Sequence, residues 1–209
     1  NAKVGGTFKL IININFFIAI LLYIPLAILA EDFISLWIGP DYVQAGQLAP
    51  ILGFAYICRT VSRPISSLLL AKAQHQLLSV VNMFGAILNI GLSLILGSQW
   101  GLMGIATATA CGFFVSDVIL HLVLLNKYTE LPVLKPSLEF IKLAALYILL
   151  AGLGITIMQS IEPLTWGELV IAAITCVCLS LLITWPMLLQ KEVKQKLVGM
   201  FFEKGETNV

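Results

Sequence analysis

Six stretches of about 20 mostly apolar residues, joined by short polar links, constrain this chain more than anything else in it: residues 10–30, 47–71, 77–97, 102–125, 138–158 and 166–189. About 20 apolar residues in a helix cross the hydrocarbon core of a bilayer, where only helices and closed barrels satisfy their own backbone polar groups. The short alternating segments of a barrel are absent from the sequence. The expected fold class is therefore all-α: a polytopic membrane helical bundle of six transmembrane helices, with consecutive helices antiparallel because their links are short. Composition agrees, since 59% of the 209 residues are hydrophobic and 11% are charged, where soluble domains carry about 25% charged residues.

Charge placement orients the bundle. Lys3, Lys9, Lys72, Lys127, Lys135, Lys142, Lys191, Lys194, Lys196 and Lys204 all fall on one side of the six stretches, and Glu31, Asp32, Asp41, Glu162 and Glu168 fall on the other. Basic residues gather in cytoplasmic links, so both ends are expected to be cytoplasmic. Beyond the sixth stretch, Val193, Leu197, Met200 and Phe201 share one face of the segment 190–202, the pattern of a short interfacial helix. The chain begins at Asn1 with no leader pattern before the first apolar stretch, and is expected to be a piece of a longer polypeptide.

Several functions are excluded or disfavoured. A basic patch interleaved with aromatics is missing, so no nucleic-acid partner is expected. Cys58, Cys111, Cys176 and Cys178 lie in apolar stretches without a C-x-x-C pair, so they read as packing residues, and no metal or cofactor site is expected. The phosphate-binding loop, the H-E-x-x-H motif and the nucleophile elbow are all absent. The chain is not expected to be an enzyme.

The chemistry concentrates in 47–71, which carries Arg59 and Arg63. An arginine at the centre of a bilayer costs about 2.5–3.5 kcal/mol on insertion scales. Retaining one there calls for water, an anion, an ion-pair partner, or a stem long enough to reach the interface. Four residues apart, the two arginines leave one helix face, with Tyr56, Ser62 and Ser66 on or near it. A cavity wall is the reading taken for this face. Pro64, next to Arg63, frees a carbonyl one turn earlier and marks a candidate hinge.

Two further patterns concern packing. Asn82, Gly85, Asn89 and Ser93 form a small, polar stripe on the third stretch, while Gly104, Ala108, Gly112 and Ser116 recur every four residues on the fourth. Such series let helix backbones approach closely. Asp117 lies at about the depth of Arg63, counting about 1.5 Å per residue, so an Arg63–Asp117 ion pair is expected. His121, four residues on, makes Asp117 and His121 a candidate ion or proton relay as well as a plausible structural pair.

Four runs then carry a resemblance: Leu36-Trp37-Ile38-Gly39-Pro40-Asp41-Tyr42, Leu69-Leu70-Ala71-Lys72-Ala73-Gln74, Ile87-Leu88-Asn89-Ile90, and Trp100 through Thr109 with its G-x-x-G-x-A-x-A-T pattern. In order and spacing they resemble the C-terminal lobe of polysaccharide flippases, members of the multidrug, oligosaccharidyl-lipid and polysaccharide exporter superfamily. Ala73 and Ser98-Gln99 depart from the usual family pattern. The resemblance implies a C-terminal half in which residues 1–126 are four helices of the core lobe. Residues 127–189 would be two accessory transmembrane helices, and 190–209 a cytoplasmic tail. It also implies translocation of an undecaprenyl-pyrophosphate-linked oligosaccharide repeat unit across the bacterial cytoplasmic (inner) membrane by alternating access. The partners would be that lipid-linked oligosaccharide, membrane lipids, and the polysaccharide polymerase and chain-length machinery.

Under that expectation Arg59, Arg63, Tyr56, Ser62 and Asn89 bind substrate. Pro64, Gly104, Ala108 and Gly112 serve hinge and packing roles. The alternatives are an ion-coupled exporter of small amphiphiles from the same superfamily, or a membrane-embedded glycosyl or acyl transferase or polymerase. The last would need paired catalytic carboxylates or a histidine near a face, and only Asp117 and His121 offer that.

Overall fold

A computed structural model describes residues 2–129, 134–161 and 165–188, and these are helical with no strand among them. The expected tail helix at 190–202 lies outside the described residues. In chain order the helices are α1 (Ala2–Trp37), a 3-10 turn (Pro40–Tyr42), α2 (Val43–Gly46), α3 (Ala49–Ala71), α4 (His75–Phe113), a π-helical segment (Phe114–Leu120), α5 (His121–Tyr128), α6 (Leu134–Met158) and α7 (Trp166–Leu188).

Among the described residues four segments are long and apolar enough to cross a membrane: Leu10–Trp37, His75–Tyr128, Phe140–Met158 and Trp166–Thr184. This is the build of a membrane protein. α3 differs from expectation, for it has the length of a span but not the apolar character. Arg59, Thr60, Ser62, Arg63, Ser66 and Ser67 interrupt it.

The long α4 is two helices joined at Gly101, where φ is 57° and ψ is −134°. A side chain strains that backbone, and glycine does not. Beyond the turn the chain runs back along itself. A Cβ added at Gly112 would stand 3.2 Å from that of Asn89, one at Gly85 would meet Ser116 at 2.6 Å, and one at Gly104 would overlap the backbone of Leu96. Ala108 is fully buried between them. The small series on the fourth stretch thus lines a seam between antiparallel halves of one hairpin.

α3, the most polar of the long helices, packs against α1, α4, the π-helical segment, α5 and α6. Its Ile57, Cys58, Ile65 and Leu69 are fully buried in a cluster with Ile12, Phe16, Ile20 and Ile24 of α1, Leu125 of α5, and Phe140, Leu143 and Tyr147 of α6. The α1 residues follow each other at steps of four, as a buried helix stripe requires. α7 lies along α1, with its Ser180 and Thr184 buried. A capping box starts it: the Thr165 amide donates to Glu168 Oε2 at 2.8 Å, and the Glu168 amide to Thr165 Oγ1 at 3.5 Å.

Outward-facing surfaces are apolar too. Val80, Met83, Phe84, Ile87, Ile90 and Leu94 of α4 and Ile171, Ile174 and Leu182 of α7 are exposed. Helices apolar on every side need either a protein interior or lipid around them.

Candidate functional site

Around Pro64, α3 uses its own hydroxyls to hold its backbone together. Thr60 Oγ1 donates to the Tyr56 carbonyl at 2.9 Å, Ser62 Oγ to the Arg59 carbonyl at 2.8 Å, and Ser67 Oγ to the Arg63 carbonyl at 3.0 Å. Ser and Thr compete in this way for helix carbonyls, and such bonds soften and bend a helix. Proline withholds one backbone donor in the same region.

The two sides of α3 then diverge. Tyr56, Arg59 and Arg63 are exposed and share one face. Ser62, expected beside them, is buried at 4% exposure, because at about 100° per residue it points toward the core side with Cys58 and Ile65. Ser66 is turned to His121, the first residue of α5, instead. Asn89 sits at the hairpin seam against Gly112.

Aromatic rings assemble against the arginine face. The Tyr23 and Tyr56 rings stack at 5.9 Å and 17°, and Phe113 meets Tyr56 edge-on at 6.1 Å and 74°. The Arg59 guanidinium carbon lies 5.0 Å from the centre of the Phe113 ring. Such a cation–π contact contributes about 0.5–2 kcal/mol, less than the about 2.5–3.5 kcal/mol that an arginine costs at bilayer centre. The ring positions Arg59 and would offset only part of the cost of an arginine at that depth. Toward the start of α3 the same rings open on a groove of about 320 Å³, lined by Tyr23, Leu26, Ala45, Ala49, Leu52, Gly53 and Tyr56.

On the other side lies a buried polar network. His121 is 1% exposed, and its Nδ1 is 2.7 Å from the Ser116 carbonyl oxygen. A carbonyl only accepts, so Nδ1 carries the hydrogen, and in that tautomer Nε2 accepts from Ser66 Oγ at 3.0 Å. The π-helical segment changes the usual helix spacing, and the imidazole reaches a carbonyl five residues back. Ser116 in turn donates to the Gly112 carbonyl at 2.8 Å.

The expected Arg63–Asp117 pair is not formed. Asp117 is buried at 8% exposure and makes no hydrogen bond or ion pair among the described residues, while Arg63 is exposed. Asp117 lies on the Cys58 side of α3, within electrostatic reach of that thiol. Depth counting put the two charges level, but helix rotation sends them to different sides. Asp117 and His121 also share no hydrogen bond with each other, and both ring nitrogens of His121 are occupied.

Tyr23 and Phe113 belong to the site and were not singled out from the sequence. Tyr23 was detectable as a lone phenol in the aliphatic run Ile18–Leu29. Phe113 had no local signal, because the hairpin fold brings it to α3. Among the described residues no group of three or more His, Cys, Asp and Glu side chains could hold a metal ion. No family model, curated protein or solved structure matches the chain.

Proposed function

We propose that this chain is the C-terminal half of a flippase that translocates an undecaprenyl-pyrophosphate-linked oligosaccharide across the bacterial cytoplasmic membrane by alternating access. In this reading the two halves of α4 and the polar α3 each count as a span. With α1, α6 and α7 they make six, both ends cytoplasmic. The observation that carries the reading is the open face of α3, where Arg59 and Arg63 stand four residues apart, exposed, and without a carboxylate partner among the described residues.

Guanidinium groups bind pyrophosphate oxygens through paired, charge-assisted hydrogen bonds. Two such groups on a helix that is too polar to face lipid comfortably suit a water-filled chamber through which an anionic headgroup passes. The resemblance of four sequence runs to polysaccharide flippases supports the same substrate class. Pro64 and the hydroxyl-bonded turns around it give α3 a point about which it bends as the halves of the transporter rock. A transferase or polymerase is less well supported, because the imidazole of His121 is already committed to Ser66 and Ser116.

The test is Arg59→Ala in the full polypeptide, expressed in cells that depend on it for surface polysaccharide. Surface polysaccharide is expected to fall at least tenfold at unchanged membrane abundance, and Arg59→Lys to restore it only in part because the planar fork is lost. Undiminished polysaccharide in the alanine variant rejects the proposal.

A further inference from the structure

The tyrosine-walled groove offers chemistry that an anion at Arg59 does not use. Tyr56 is 47% exposed, and Tyr23 stacks beside it at 5.9 Å. Among the described residues neither phenol hydroxyl has a hydrogen-bond partner. Tyr147, by contrast, donates its hydroxyl to the Pro50 carbonyl at 2.8 Å. Ala45 of α2 and Ala49 of α3 border the groove with small side chains, while Gly53 makes room for Tyr147 on the other side. About 320 Å³ is within the range of small-molecule sites, roughly 300–1,000 Å³.

We propose that this groove is a carbohydrate subsite, taking the sugar ring joined to the anion that Arg59 holds. The inference rests on the function proposed above and adds where the sugar sits. A pyranose ring presents polarised C–H bonds on its faces and hydroxyls around its rim. An aromatic face is the negative end of a quadrupole and attracts the C–H bonds, and two free phenols exchange hydrogen bonds with the rim. An isoprenoid tail would leave both phenols unmet. Charge fixes the register of the ligand: Phe113 contacts both the edge of Tyr56 and the Arg59 guanidinium, so a pyrophosphate at Arg59 puts its first sugar against the tyrosines.

Two probes separate the possibilities, with the full polypeptide in lipid nanodiscs and calorimetry as readout: farnesyl pyrophosphate, and the same lipid bearing N-acetylglucosamine on its pyrophosphate. Wild type is expected to bind the sugar-bearing probe more tightly. Tyr56→Leu should weaken that probe about tenfold and leave the sugar-free probe unchanged, with Tyr56→Phe in between; Arg59→Ala should weaken both. Equal weakening of both probes by Tyr56→Leu would put the tail in the groove and overturn the subsite while leaving the anion site intact. Persistence of the sugar preference in both Tyr56→Leu and Tyr23→Leu would also overturn it. A wild type that binds neither probe removes the proposed function together with the subsite.

Discussion

α3 keeps polar groups on two sides and stabilises them by opposite means. On the open side Arg59 and Arg63 are exposed, and Arg59 is steadied by the Phe113 ring. On the closed side Ser66, His121 and Ser116 are buried or partly buried and hydrogen-bonded in series. Open-side cations keep bonding capacity for something outside the helix, whereas the closed side has spent its capacity internally. That difference, more than residue type, separates a binding surface from a structural connection between helices. Asp117 fits neither description: it is 8% exposed, and among the described residues no side-chain oxygen is both fully buried and without a hydrogen bond.

The contrast can be broken or sharpened by substitution. The largest effect is expected from His121→Ala, which removes a fully buried ring and its hydrogen bonds to the Ser66 hydroxyl and the Ser116 carbonyl. Cavity formation and lost hydrogen bonding together should cost about 2–4 kcal/mol, read as a fall in thermal stability of the purified protein in lipid. Stability within 0.5 kcal/mol (a rough threshold) would mean the closed side is not a structural link.

Tyr147→Phe should cost less, about 1 kcal/mol for one net hydrogen bond to the Pro50 carbonyl. Ser66→Ala should be of similar size, also about 1 kcal/mol, with the proposed transport unaffected; a loss of surface polysaccharide at full stability would give the network a role beyond packing. Smallest of all is the coupling between Arg63 and Asp117. With no ion pair between them, a double-mutant cycle with Arg63→Gln and Asp117→Asn should be additive to within about 0.5 kcal/mol. A larger coupling would show that the two charges meet in another conformation.

Much of the fold was legible in the sequence because it depends on one-dimensional quantities. Apolar runs of bilayer length located α1, both halves of α4, α6 and α7, and the gap between the runs 77–97 and 102–125 contains Gly101, where the chain turns back. Glycine and alanine every four residues located the seam, since backbone proximity needs small side chains wherever it occurs. The arginine face was legible for the same reason, because positions 56, 59 and 63 share a side of any α-helix.

Partners across helices were not legible. Spacing along the chain measures depth, and depth alone paired Arg63 with Asp117; rotation of α3 against the π-helical segment decided otherwise. The same packing sent Ser62 inward, gave Ser66 to His121, and brought Phe113 beneath Arg59. By itself the sequence determined which segments are helical, how long they are and which side chains share a face, because those follow from local geometry and apolar content. Tertiary structure alone decided which polar groups are spent and which stay available, because that depends on how neighbouring helices are turned to meet them.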